Sequence, residues 1–217
     1  AMVAPDAYPV CTSDTLRFVR AGYDFSAQDV EEEIEEYPVG HSAAFLARAR
    51  RTGRPYMTAA LARVNASWDA LSKDARYAAA KAGLRPPEYN PFANNIAQAV
   101  ELVDVLDRCS ALCRRLAADE FEGLSAPVPF EVCAGRGVGF TEAPRGALFH
   151  ILDIDGDGRI ERASIMTPTA QNIANLEADM RQLAGKMVAG GYDADLITLE
   201  VEKLVRAYDP CLSCSVH

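Results

Sequence analysis

The residues best suited to chemistry lie together in the segment "YDPCLSCSVH". Cys211 and Cys214 are three residues apart, Asp209 and Pro210 precede them, and His217 follows. The Asp-Pro pair predicts the start of a helix, with Asp209 as its cap and Pro210 at its first position. Cysteines at i and i+3 would then share one helix face, where both could chelate a single ion.

Thiolates at this position favour soft or borderline metals such as zinc, iron, nickel or copper(I). The positive end of a helix dipole would also favour the thiolate form of both cysteines. The alternative, a redox dithiol, is typical of a thioredoxin-like βαβ pattern, which the sequence lacks. Two thiolates cannot complete a coordination sphere, and the sequence has no second Cys-x-x-Cys and only 3 histidines. We therefore expect the chain to supply half of a metal site.

The other four cysteines carry weaker signals. Cys109 and Cys113 are one turn apart on a predicted buried helix, where filling the core is a better explanation than a ligand pair. Cys11 and Cys133 are isolated, and no chemistry is assigned to them. Because no secretory signal is recognisable, we expect reduced thiols in a cytosol-like compartment.

Two further motifs have simpler explanations. Residues 153–164, "DIDGDGRIERAS", resemble a calcium loop, but Ser164 replaces the closing glutamate. A hairpin turn of Asp and Gly explains the same letters. The "GRGVG" segment (135–139) lacks the Lys-Ser/Thr of a phosphate loop, so its glycines indicate a close backbone approach instead.

Composition is that of an ordinary globular protein: 217 residues, 49% hydrophobic and 24% charged. The net charge of −9 gives no basic footprint for nucleic acid or an anionic membrane. No apolar run reaches the ~18 residues of a membrane span. The sequence thus predicts a cytoplasmic protein without nucleic-acid or membrane partners.

Periodicity and turn signals predict a mainly α fold with one small β hairpin, an α+β class. The hairpin would pair strands at about 147–154 and 159–166. Helices are predicted at 26–37, 41–51, 72–82, 90–117, 168–188 and 193–209. We expect a single domain over 1–217, made of an N-terminal segment (1–40), a helical part (41–127), a β hairpin region (128–166) and a part with helices and the metal-ligand tail (167–217).

Four segments besides the tail resemble motifs of nickel–iron hydrogenase large subunits, in the same order. They are "GRPYMTAALARVN", "NPFANNIAQAVE", "GRGVGFTEAPRGALFH" and "MTPTAQNIANLEADMR". The sequences of these segments are most similar to those of the soluble cytoplasmic branch, which exchanges electrons with NAD(P) or a deazaflavin. One departure is Ala59, where the family usually has glycine. The resemblance implies a helical-bundle core like that of the C-terminal part of these subunits.

The resemblance also implies a cofactor, a nickel ion bridged to an iron that bears CO and cyanide ligands. Cys211 would be a terminal nickel ligand, and Cys214 would bridge nickel and iron. Arg145 of "EAPRG" would place its guanidinium over the open nickel position, paired with Asp209. These two residues would be the catalytic ones.

Further roles follow from the same resemblance. Thr169 would hydrogen-bond a cyanide, and Pro144 would pack beside the same diatomic ligands. His217 would become the last residue after a maturation protease acts. Together with the carbonyl of Ile165 it would bind a magnesium or iron ion.

The implied function is reversible heterolytic cleavage of H2 at the nickel–iron centre. Family large subunits carry a first Cys-x-x-Cys in an N-terminal half that this sequence lacks. We therefore expect a partner chain or segment with that motif, an iron–sulfur small subunit, a maturation protease and nickel-insertion factors. The isolated chain would be inactive. The alternative is a non-catalytic metal-binding or assembly module related to the same family.

Overall fold

The structure, a computed structural model, describes residues 1, 3, 8, 13–118 and 129–216. This part contains helices and small antiparallel sheets, which confirms the α+β class. The strands are β1 (Thr15–Phe18), β2 (Tyr23–Ser26), β3 (Ile34–Val39), β4 (Ser42–Ala49), β5 (Gly135–Ala143), β6 (Gly146–Ile154) and β7 (Ile160–Met166). The helices are α1 (Val30–Glu33), α2 (Ala60–Ala66), α3 (Lys73–Lys81), α4 (Asn94–Ala117), α5 (Pro168–Ala189) and α6 (Ala194–Tyr208).

The predicted hairpin is confirmed as β6 and β7, and β5 extends it to a three-stranded sheet in the order β5-β6-β7. Phe149 at its centre is fully buried and lies between Phe140 on β5 and Met166 on β7. The turn from β6 to β7 is held by Asp155, whose carboxylate accepts hydrogen bonds from two backbone N–H groups. The Asp-rich segment therefore closes a hairpin.

Two predicted helices, 26–37 and 41–51, are wrong. Only a 3-10 turn, Ala27–Asp29, and the short α1 are helical there, and they are followed by the antiparallel pair of β3 and β4. Both faces of β4 are covered, because Ala44 and Leu46 pack against α5 while Ala47 joins the core under the three-stranded sheet. Small side chains allow a strand to lie between two layers, and this packing outweighs the helical propensity of alanine.

The other long helices are confirmed, and side-chain caps fix where they begin. Ser72 caps α3, Thr167 caps α5 and Asp193 caps α6, each accepting a hydrogen bond from a backbone N–H of the first turn. The first turns of α5, residues 168–174, are buried throughout. No helix in the described ranges has the length and hydrophobicity needed to cross a membrane.

Helix α4 is buried only in its first half, where α2 and α3 pack against it. Its second half exposes apolar side chains, so the prediction of a buried helix around Cys109 and Cys113 is wrong. Cys109 and Cys113 are exposed rather than part of the core. The large exposed apolar residues of this helix are Leu102, Val105, Leu106, Leu112 and Leu116.

Candidate active site

The sequence predicted that a helix begins at Asp209, but no helix begins there. Asp209 instead ends α6 in the left-handed conformation, with φ 49°. The cysteines lie on a short 3-10 turn, Leu212–Cys214, in which Cys214 N–H donates to the Cys211 carbonyl at 3.0 Å. A single turn of this length lacks the dipole of a regular helix, which removes that argument for thiolate formation.

The Cys211 and Cys214 sulfurs are joined as a disulfide in the structure, with Cα atoms 5.3 Å apart. The expectation of reduced thiols is therefore wrong for these two cysteines, whereas Cys109, Cys113 and Cys133 are free. The tight turn explains the pairing, since this Cα separation is within the usual range for disulfides. For the same reason, the two reduced sulfurs would be close enough to bind one ion.

Two contacts outside the turn hold it in place. Cys211 N–H donates to the buried Thr169 hydroxyl on α5 at 3.2 Å. The carbonyl of the fully buried Ser215 accepts from Phe45 N–H on β4 at 3.0 Å. Sequence reasoning missed Ser215 and Phe45, because a backbone contact between a strand and a distant turn leaves no sequence pattern.

Arg145 and Asp209 lie together, and both are partly open to solvent. Arg145 Nε donates to the backbone carbonyl of Asp209 at 2.6 Å and lies 3.1 Å from its carboxylate. The two side chains are 39% and 42% exposed. Through its bond to the Asp209 carbonyl, the guanidinium is attached to the chain two residues before Cys211.

The loop that carries Arg145 is held by Arg63 of α2, a residue that sequence reasoning missed. Arg63 is 4% exposed and uses all five of its N–H groups. Two bond Glu101 and one bonds Glu142; the last two bond the carbonyls of Ala143 and Pro144 at 2.8 and 2.9 Å. Burial alone would lower the pKa of Arg63, but these carboxylates raise it above its usual value.

The far side of the loop is equally constrained. Asn172 on α5 donates to the Arg145 carbonyl at 3.2 Å and accepts from Thr58 N–H at 2.7 Å. Gly146 has φ 132°, and a Cβ atom there would lie 2.4 Å from the Thr58 methyl group. Only glycine fits this close approach.

The remaining predicted site residues are more scattered. Pro144 is exposed beside Arg145. Ile165 lies near the end of β7, opposite His150, and is 42% exposed. His217 lies outside the described residues, as does Cys11.

A complete metal site is not formed within the described ranges, where no three or more His, Cys, Asp or Glu side chains are grouped for one ion. The two sulfurs have the donor chemistry that nickel and iron accept but not the number of ligands. The donor set therefore fits half of such a site.

The family model for nickel-dependent hydrogenases matches residues 28–217. This chain belongs to the nickel-dependent hydrogenase family. Sulfhydrogenase 1 subunit alpha of Pyrococcus furiosus is 38% identical over 204 residues, which are 90% of this chain and 44% of that protein. The beta subunit of the NAD-reducing hydrogenase HoxS from Cupriavidus necator is 32% identical over 124 residues, 57% of this chain and 25% of that one.

The fold is similar to that of a solved NAD+-reducing [NiFe]-hydrogenase in the H2-reduced state. The TM-score is 0.71 at 24% identity, and the match covers 89% of this chain and 43% of that one. The resemblance to hydrogenase large subunits is thereby confirmed. This chain spans less than half the length of these relatives.

Proposed function

We propose that this chain is the C-terminal half of the catalytic large subunit of a nickel–iron hydrogenase, which cleaves H2 heterolytically and reversibly. Family membership supports the reaction class. The observation that carries the proposal for this chain is the position of Arg145, whose guanidinium bonds the carbonyl of Asp209, two residues before Cys211.

In this proposal Cys211 and Cys214 are ligands of a metal centre that another polypeptide segment completes. Both residues would hold the nickel–iron centre through their sulfurs once these are reduced to thiolates. The bound nickel–iron centre, with its CO and cyanide ligands, supplies the Lewis-acid and redox chemistry that splits H2. The remaining thiolates come from the partner chain or segment with the other Cys-x-x-Cys.

Arg145 would polarise dihydrogen, and Asp209 would orient its guanidinium. A salt bridge that is about two-fifths exposed on each side leaves the cation accessible to a small molecule. Arg145 is a poor proton acceptor, because a protonated guanidinium has only N–H donors and no acceptor atom. We therefore assign it an electrostatic role in the reaction.

Thr169 and Pro144 would line the pocket for the diatomic ligands. The Thr169 hydroxyl oxygen accepts from Cys211 N–H, so its own hydrogen remains to donate to a cyanide nitrogen. Pro144 precedes Arg145 and presents an apolar surface beside it. His217 and the Ile165 carbonyl would hold the additional magnesium or iron ion.

We further propose that the chain works in the cytoplasm within a complex that includes an iron–sulfur small subunit, which removes the electrons. A maturation protease and nickel-insertion factors would prepare the site. An assembly module that keeps the fold without turnover is the second candidate, and the incomplete donor set of the described residues favours it.

Co-expression with the chain that carries the missing Cys-x-x-Cys and with the small subunit tests the proposal. Metal analysis of the purified complex should find nickel and iron, and an H2-uptake assay with an artificial electron acceptor should detect turnover. Cys211→Ser should abolish turnover and lower the nickel content strongly. Cys109→Ser, which changes an exposed cysteine of α4, is the matched control and should affect neither. A stable complex without nickel would favour the assembly module.

A further inference from the structure

We infer that Arg63 is a positioning residue for Arg145: its guanidinium fixes the backbone from which the Arg145 side chain reaches Asp209. Any effect of this positioning on catalysis rests on the proposed function. Its structural content is independent of that function, because it concerns only contacts within this chain.

The first observation is the direction of the Arg63 hydrogen bonds. Two of its five N–H groups bond consecutive carbonyls, those of Ala143 and Pro144, immediately before Arg145. Because the guanidinium is planar and rigid, its two N–H groups fix the orientation of the two carbonyls as well as their distance. The peptide units that lead into Arg145 are thereby held on one side.

The second observation is what holds the guanidinium itself. Glu101 on α4 contacts one edge with both carboxylate oxygens at 2.6 and 2.7 Å, and Glu142 on β5 contacts Nη1 at 2.8 Å. The Glu101 and Glu142 side chains are 14% and 1% exposed. Because both are nearly dry, the guanidinium plane is fixed and its remaining N–H groups point at the loop.

The third observation is that the loop is held from the opposite side too. Asn172 bonds the Arg145 carbonyl, and Thr58 leaves no room for a side chain at Gly146. Three successive carbonyls, at 143, 144 and 145, are thus bound by side chains from α2 and α5. Lysine at position 63 would keep the charge but has one nitrogen with three donors, so it cannot reproduce this set.

The direct test measures the mobility of Arg145 in the chain itself. Its backbone N–H order parameter, from 15N relaxation, should be near the ~0.85 of rigid backbone in the unchanged chain and fall below ~0.6 in Arg63→Lys. Arg108→Lys is the matched control, because Arg108 also bonds a buried carboxylate, that of Asp104, and a backbone carbonyl, that of Ala70. It should leave the Arg145 order parameter unchanged.

A charge-balanced variant covers the case in which Arg63→Lys fails to fold. Arg63→Gln/Glu101→Gln keeps the net charge of the cluster, but glutamine is too short to reach the loop carbonyls. It should release Arg145 to the same extent. A rigid Arg145 in either folded variant would overturn the inference, whether or not the assembled complex turns over H2.

The catalytic meaning is tested by a double-mutant cycle in the assembled complex. Arg63→Lys should lower kcat about tenfold when Arg145 is present, as expected for the loss of two or three hydrogen bonds. It should have little further effect in the Arg145→Lys background. Equal effects in both backgrounds would show that Arg63 acts on stability alone and would overturn the positioning role. If the complex that contains the unmutated chain does not turn over H2, that result counts against the proposed function. The order parameters of Arg145 would still decide the role of Arg63.

Discussion

The two arginine–carboxylate clusters on either side of the Arg145 loop differ in how much water reaches them. Arg63 is 4% exposed, and each of its N–H groups has a partner. Arg145 is 39% exposed, and the hydrogen bonds described for its side chain are with Asp209. The first cluster is built to hold backbone in place. The second keeps a cation accessible at Asp209, two residues before Cys211, which is what chemistry on a small molecule requires.

The energetic consequences of the two arrangements are opposite. A buried ion pair gains little over an apolar replacement, but removing one partner leaves an uncompensated charge in a dry environment. A half-exposed pair contributes little to stability, because water screens both charges. Removing the charge of Arg63 should therefore act mainly on folding, and on turnover only through the position of Arg145. Changes to the Arg145 cluster should act on turnover with little effect on folding.

The largest expected effect is that of Arg63→Met. The variant leaves Glu101 and Glu142 buried without their cation, which should lower the free energy of unfolding by about 3–5 kcal/mol. Urea denaturation of the chain measures it. Arg145→Met is the matched control and should cost no more than about 1 kcal/mol. Equal losses would remove the distinction between the two clusters.

The second prediction concerns Arg145→Lys in the assembled complex. Lysine keeps the charge but loses the planar fork, so nickel and iron contents should stay intact while kcat falls about 10²-fold, the effect of losing one preorganised donor. Metal analysis and H2 uptake on the same preparation measure both quantities. An unchanged rate would remove Arg145 from the mechanism.

A half-buried carboxylate, that of Glu36, sharpens the comparison further. In the described part of the chain, Glu36 Oε1 has no hydrogen-bond partner, and burial raises the pKa of Glu36 to about 7. The folded state therefore binds this proton more tightly than the unfolded state. The stabilisation is fully present below about pH 4.5 and is lost as the pH rises through about 7.

Glu36→Gln should remove this pH dependence. Because Glu36 is partly exposed, we expect a modest effect of about 1–2 kcal/mol between pH 5 and pH 8, taken as the difference between the two chains. Urea denaturation at several pH values measures it. Parallel pH profiles of the two chains would contradict the assignment.

The smallest effect is expected on α4. Leu106 is 61% exposed, so Leu106→Lys should change the free energy of unfolding of the chain by no more than about 0.5 kcal/mol. Val100→Lys, on the buried face of the same helix, should prevent stable folding. A large decrease in the free energy of unfolding in Leu106→Lys would mean that this helix face is covered within the chain itself.

Local signals predicted the elements that depend on local interactions. Three helices and a hairpin were predicted correctly, and in the structure local contacts define where they begin or turn, at the caps Ser72, Thr167 and Asp193 and at Asp155. Long-range packing decided the rest. Strand β4 is extended because two layers cover it, and no pattern in its alanine-rich sequence indicates that.

The residues of the candidate site show the same difference between local sequence signals and long-range packing. The cysteine spacing indicated two sulfurs that could share an ion, and the family resemblance pointed to Arg145 and Asp209. The Arg63 cluster could not be found in this way, since its partners lie 38 and 79 positions away in the sequence. Side chains that converge only in the folded chain leave no spacing to recognise.

The central claim is that the two sulfurs of the cysteine turn are one part of a metal site that another segment completes. X-ray absorption at the nickel edge of the assembled complex counts the sulfur neighbours of the metal directly. The account predicts that Cys211→Ser, in any nickel that still binds, removes one sulfur neighbour relative to the unchanged complex, whereas Cys109→Ser removes none. An unchanged sulfur count in Cys211→Ser would contradict it.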